Sequence, residues 1–211
     1  MIRFAIVALC AGSLASAAVI HDNGAPDQAF GNNIAEYIQT DDFQVAAAST
    51  LTAVRFWALQ SAAGDYLGSI DWYIYMDNAG EPGGVIASGN AIATQVATGL
   101  GGLGIDEYRY DFNLTPNINV GAGIYWLGIH NGPTGNISFV DMNWETTAAG
   151  GGNPAGEFDL LFGDPFIANN SEKAFIVFGD AQQQGQVPEP TTVVLISAGL
   201  AGIGLLRRRG F

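Results

Sequence analysis

The chain has 211 residues, 48% of them hydrophobic, with seven Lys and Arg against twenty Asp and Glu, a formal net charge of -13 at pH 7. All twenty acids lie between Asp22 and Glu189, where the only bases are Arg55, Arg109 and Lys173, so three positive against twenty negative charges put this interior near -17. One lysine among so many acids excludes nucleic acid and anionic lipid as partners of that interior, and a single cysteine, Cys10, excludes a disulfide framework.

In chain order, Met1-Ile2-Arg3 is a short positive segment, and Phe4 to Leu14 is an apolar run. Ala15-Ser16-Ala17, or Ser16-Ala17-Ala18 one register later, supplies the small-x-small cleavage pattern of a secretory signal peptide. Residues 1-18 are therefore expected to be removed on export. Cys10 lies inside the apolar run and leaves with it, because Val7-Ala8-Leu9 does not form a lipoprotein box. The mature protein must then draw its stability from a packed core.

From residue 19 to 180 the hydrophobic period is two. Ile70, Trp72, Ile74 and Met76 alternate with Asp71, Tyr73, Tyr75 and Asp77, and Tyr108 to Leu114 alternates aromatic against polar. Leu51-Leu59, Gly123-His130, Ile137-Trp144 and Ala174-Phe178 are further strand candidates, rich in aromatic and β-branched residues. Turn clusters separate them: Asp22-Asn23-Gly24, residues 77-84, His130 to Pro133, and residues 149-154. Sustained helical periodicity is missing. The pattern predicts an all-β fold, an antiparallel β-sandwich of jelly-roll type. Trp57, Trp72, Trp126 and Trp144 all fall in strand candidates and are expected mainly in the core. Residues 181-187 read as a polar linker.

Site chemistry is sparse. His21 and His130 are the only histidines, and the patterns G-x-S-x-G, H-E-x-x-H and the P-loop are absent. No catalytic residue is assigned. Asp106-Glu107, Asp141 and Glu145 are strand acids that would serve glycoside hydrolysis only if two of them met in space. Asp77, Asn78 and Glu81 place hard oxygen ligands on a tight turn, a candidate calcium site, with Asp41-Asp42 as a second carboxylate cluster. Otherwise no cofactor is expected. Tyr73 and Tyr75 lie on the strand face opposite Trp72 and, with His130, are the candidate ligand-binding residues, the tyrosines as a sugar-stacking platform.

The tail carries the most specific signal. Pro188-Glu189-Pro190 precedes an uncharged run from Thr191 to Leu206, and Arg207-Arg208-Arg209 follows directly. As a helix, 191-206 would reach roughly 24 Å, a little short of a ~30 Å hydrocarbon core, with snorkelling arginines making up the difference. The arginines act as a membrane stop and stay cytoplasmic by the positive-inside rule, leaving the body on the far side. This tail, residues 188-211 with one transmembrane helix, resembles the PEP-CTERM sorting tail of bacterial surface proteins. That resemblance implies an exosortase-type membrane protease as partner. It also implies an intermediate anchored in the inner membrane, and a final place at the cell surface or in the extracellular matrix.

The body is similar, more loosely, to an ectodomain found before such tails, through Asp22 to Pro26, Asp41-Asp42-Phe43, Trp72 to Tyr75, Gly80 to Gly83 and Gly123 to Leu127. The tail family also carries an ice-binding C-terminal label, but Thr50, Thr52, Thr94 and Thr98 form no regular array. Three classes of function follow: a non-catalytic surface protein associated with exopolysaccharide, a carbohydrate-binding module that depends on exposed aromatics in a groove, with or without calcium, and a glycan-active enzyme requiring two carboxylates in a cleft.

Overall fold

The structure is a computed structural model and describes residues 17-102, 104-149, 151-159 and 165-182. The expected signal segment up to residue 16, the Pro188-Glu189-Pro190 motif, the span at 191-206 and Arg207 to Arg209 lie outside the described residues. The chain divides into two units, Met1-Ala181 and Gln182-Phe211, and all described strands fall in the first. Among the described residues no helix is long and apolar enough to cross a membrane.

The body is all-β, as the period of two predicts. In chain order its strands are β1 (Ala18-Asp22), β2 (Gly31-Asn33), β3 (Tyr37-Val45), β4 (Ser49-Gln60), β5 (Ile70-Asp77), β6 (Pro82-Ala91), β7 (Thr94-Gly102), β8 (Ile105-Val120), β9 (Gly123-Asn131), β10 (Met142-Glu145), β11 (Gly156-Asp159), β12 (Ile167-Ala168) and β13 (Phe175-Ala181). They form two antiparallel sheets in a sandwich-like arrangement. One runs β1-β13-β4-β10-β2, with β8 on β4 and β7 on β8; the other runs β12-β11-β3-β9-β5-β6. A jelly roll proper has eight strands in two Greek keys, whereas these sheets hold seven and six.

Alternation explains which faces meet. Val54, Phe56 and Ala58 of β4, Tyr108, Tyr110 and Phe112 of β8, and Ile70, Trp72 and Ile74 of β5 join Leu127, Ile129, Trp144 and Phe175 in one core cluster. Phe56 stacks on Tyr110 at 4.9 Å between centroids and meets Trp144 edge-on at 6.2 Å. Trp72 sits opposite Gly89 on the neighbouring strand, and a Cβ at Gly89 would lie 2.6 Å from the indole. The missing side chain is what lets the ring lie flat there.

The outer face of the second sheet is covered as well. Tyr73 stacks on Tyr75 at 5.9 Å, Tyr75 on Phe158 at 5.7 Å, and Phe166 meets both Phe158 and Trp126 at 5.7 Å. Strand candidate Ile137-Trp144 is shorter than its sequence suggests: only Met142-Glu145 pairs, against β2 and β4.

Candidate functional site

The residues singled out from sequence occupy two places. Asp77, Asn78 and Glu81 form the turn from β5 to β6, where the Asn78 N–H donates to the Glu81 carbonyl at 2.8 Å. Asp77 Oδ1 accepts from the Gly80 N–H at 3.2 Å and from Trp126 Nε1 at 3.0 Å. These are the bonds of a closed hairpin turn, with the carboxylate engaged in holding a tryptophan.

Tyr73, Tyr75 and His130 lie together on the outer face of the second sheet, but not as an exposed platform. Tyr75 is 6% exposed and His130 is fully buried. Burial also drives the Tyr75 hydroxyl well above the usual phenol range. The alternation placed the two tyrosines opposite Trp72 correctly. Phe158 and Phe166 then cover that face, which sequence alone does not show. Tyr73 keeps partial exposure and its hydroxyl bonds Thr134 Oγ1 at 3.0 Å. His130 donates from Nδ1 to the Gly132 carbonyl at 2.9 Å, while Nε2 is buried without a partner.

Two of the strand acids do meet. Glu107 on β8 and Glu145 on β10 flank β4 from opposite sides and are 1% and 0% exposed. Glu145 Oε1 accepts the Gln28 N–H at 2.7 Å, and one oxygen of each glutamate is buried without a partner other than the neighbouring carboxyl group. Burial first, and the Glu107 charge second, push the Glu145 carboxyl up to about 8. At neutral pH the Glu145 carboxyl therefore holds its proton. The Gln28 backbone thus packs against Glu145, and neither carboxyl group is exposed. Asp106 and Asp141 are not part of this pair; Asp141 instead bonds Ser61 and Asn143 at the surface.

A larger polar assembly surrounds the entry to β13. Asp41, on β3, is fully buried and faces inward like its neighbour Phe43 two residues on. Its oxygens accept from Asn23 Nδ2 at 2.9 Å, the Lys173 N–H at 2.7 Å and the Asp42 N–H at 2.9 Å. Asp42 accepts from the Asn153 backbone at 3.1 Å and side chain at 3.2 Å. Asp41, Asp42 and Glu172 each place an oxygen within 4.8 Å of the others. Burial raises all three carboxyls, Asp41 most strongly. Asp41 thus binds three protein N–H donors, while Glu172 Oε2 is buried without a hydrogen-bond partner.

Lys173, the chain's one lysine, is also fully buried. Its Nζ donates to Asn32 Oδ1 at 2.6 Å and to Ser171 Oγ at 2.5 Å. None of the described carboxylates lies within 4.0 Å of it; the ion pairs among the described residues are those of Arg55 and Arg109 with Asp111. Burial lowers its ammonium to about 8, opposed by the more distant Asp41, Glu157 and Glu172. The Ser171 hydroxyl in turn donates to Asn169 Oδ1 at 2.7 Å, and its oxygen lies 3.2 Å from Asn32 Oδ1. No motif or spacing in the sequence points to this group. Its only advance signal is that a chain with one lysine has that lysine beside a strand of the core.

Against this geometry stand the comparisons with known proteins. The body is an acidic, all-β, sandwich-like domain. Residues 186-209 match the PEP-CTERM protein-sorting motif. The chain thus carries that motif, which marks a protein exported and sorted through an exosortase-type membrane protease. No curated protein matches the chain.

Proposed function

We propose that this is a non-catalytic, displayed structural protein. It is exported, anchored in the inner membrane through its tail, trimmed by an exosortase-type protease, and left at the cell surface or in the extracellular matrix in association with exopolysaccharide. The observation that carries the reading is the sorting motif at 186-209. The body supports it: a dense acidic surface favours a solvated, displayed domain, and a continuous aromatic core replaces the disulfides that many exported domains need. Mass spectrometry of the surface form tests it. The expected species ends near Pro188 to Pro190 and lacks Val193 to Arg209. An intact Phe211 on surface protein refutes the processing.

A second reading, carbohydrate binding, is favoured by one observation. Phe30 is 60% exposed at a groove of about 230 Å³ that it lines with Ala29, Gly31, Leu59, Ile105 and Asn143. An exposed ring beside a side-chain amide offers the apolar face and polar edge that a sugar needs. Titration with soluble polysaccharides, followed by tryptophan fluorescence, should give a response that Phe30→Ala removes. The same titration with EDTA and with a magnesium control tests calcium dependence. A flat titration across a broad glycan panel refutes this reading and leaves the first intact.

A further inference from the structure

We propose that Lys173 and Asn32 join through an intramolecular amide bond, a self-made cross-link between β2 and the segment that leads into β13. The two side chains come from residues 141 positions apart, and Nζ stands 2.6 Å from Asn32 Oδ1. Asn32 pairs with Trp144 across the β2-β10 ladder, and Trp144 has no exposed surface, so the amide lies beside the aromatic core.

A fully buried ammonium normally sits on a carboxylate, because its desolvation is otherwise uncompensated. Here both of its contacts are neutral oxygens. Burial makes the proton of such a lysine easier to lose than that of an exposed one, and the free amine so formed is a nucleophile. The carboxamide carbon of Asn32, one bond from the oxygen that Nζ touches, is the electrophile. Fixing both groups in one water-poor place replaces a slow intermolecular reaction by an intramolecular one.

Ser171 completes a triangle of contacts: its hydroxyl accepts from Nζ at 2.5 Å, its oxygen lies 3.2 Å from Asn32 Oδ1, and its own proton rests on Asn169 Oδ1 at 2.7 Å, from which it must turn to serve the reaction. The step balances without an oxidant, a reductant or a co-reactant. The Nζ lone pair attacks Asn32 Cγ, the Nζ–Cγ bond forms and the Cγ–Nδ2 bond breaks. One proton leaves Nζ for the Ser171 oxygen, and the Ser171 proton passes to the departing nitrogen. Ammonia is released, and Asn32, half-buried rather than sealed, gives it a way out. The product removes the buried charge and ties the second strand of the body to its last, in a chain whose one cysteine lies in the expected signal segment.

The full chain, recovered after export and digested with trypsin under denaturing conditions, decides the matter by mass. Trypsin cuts after Arg55, Arg109 and an unmodified Lys173. A linked protein resists cutting after Lys173. It yields one branched species, with one arm ending at Arg55 and the other beginning at Tyr110, lighter than the two arms together by one ammonia. Fragment ions should put the branch on Asn32. Full recovery of a linear peptide ending at Lys173 overturns the proposal, as does a branch on any other side chain. Ser171→Ala should lower the fraction linked at a fixed time after synthesis, and linkage at the wild-type rate would overturn the relay. The comparison is read on Ser171→Ala protein whose far-UV circular dichroism matches wild type, so that a lower linked fraction reports the relay and not a failure to fold.

Discussion

Replacing Glu145 by Gln should flatten the fall in stability that the body shows as pH rises toward 8. In the folded protein the Glu145 carboxyl is raised from 4.5 to about 8 by burial and by Glu107. Between those values the folded state holds a proton that the unfolded chain has released, so ∂ΔG/∂pH is negative. The favourable contribution is complete below 4.5 and gone above about 8. A shift of this size corresponds to about 3–5 kcal/mol at 1.36 kcal/mol per pH unit. The carboxamide introduced by Glu145→Gln would keep an acceptor for the Gln28 N–H and offer a permanent donor to Glu107. The variant should match wild type near pH 5 and exceed it near pH 8. Asp41, Asp42 and Glu172 are raised too and act in the same direction. His21 and Lys173 are lowered by burial and act oppositely, His21 below neutral pH and Lys173 above about 8. The difference between variant and wild type cancels all of these. Denaturant unfolding of residues 18-181 from pH 5 to 9, read by tryptophan fluorescence, supplies it. Parallel curves, or a variant less stable than wild type at pH 8, would refute the raised Glu145 carboxyl.

Further tests bear on the core and the tail. Trp72→Ala should cost about 3–5 kcal/mol in chemical denaturation, since the indole is 1% exposed in the core; a cost below about 1 kcal/mol would put the ring outside it. Gly89→Ala should cost about 1–3 kcal/mol by driving a methyl into that ring. In the Trp72→Ala background the penalty should largely vanish, a coupling that a double-mutant cycle reads directly. Exchanging Arg207, Arg208 and Arg209 for neutral residues should reduce retention of the unprocessed form in membrane fractions, because the stop is electrostatic; unchanged fractionation would refute it.

What could be read in advance followed physical pattern strength. β5 coincides with its predicted range Ile70-Asp77, β4, β8 and β9 contain theirs, and β13 begins one residue later than the predicted Ala174-Phe178. Each has one face in the aromatic core, so alternation is clean. β3 escaped notice because Gln39 and Asp41 point inward where apolar residues were expected, and both are fully buried. β6 and β7 are rich in glycine and keep exposed apolar residues such as Val85, Ile86 and Val96, so neither shows a two-faced pattern. Among the candidate site residues, the approach of Glu107 to Glu145 depends on β8 and β10 both flanking β4, which no local spacing encodes. The Asn32–Lys173 contact is more remote still. Tyr75 failed as an exposed residue because a third layer, Phe158 and Phe166, closed the face that period-two logic leaves to solvent.

The distribution of buried polar groups separates what the ends of this chain do from what its body does. The expected signal and the sorting tail are addresses, and any stable exported domain could sit between them. Such a domain needs only an apolar core, which the cluster from Val54 to Phe175 supplies. It does not need Glu107, Glu145, Asp41 and Lys173 beneath the surface. Burying ionisable groups costs several kcal/mol each before compensation, and apolar replacements of buried pairs are often neutral or stabilising. Stability is therefore a weak reason for these residues. For Glu145 the consequence is a contribution to stability that is greatest in mild acid. For Lys173 the cost disappears if the charge is consumed: an amide to Asn32 turns a buried cation into a neutral, covalent tie. The two cases make opposite demands on experiment, since one is reversible with pH and the other survives denaturation. A single preparation followed by titration and then by mass can tell them apart.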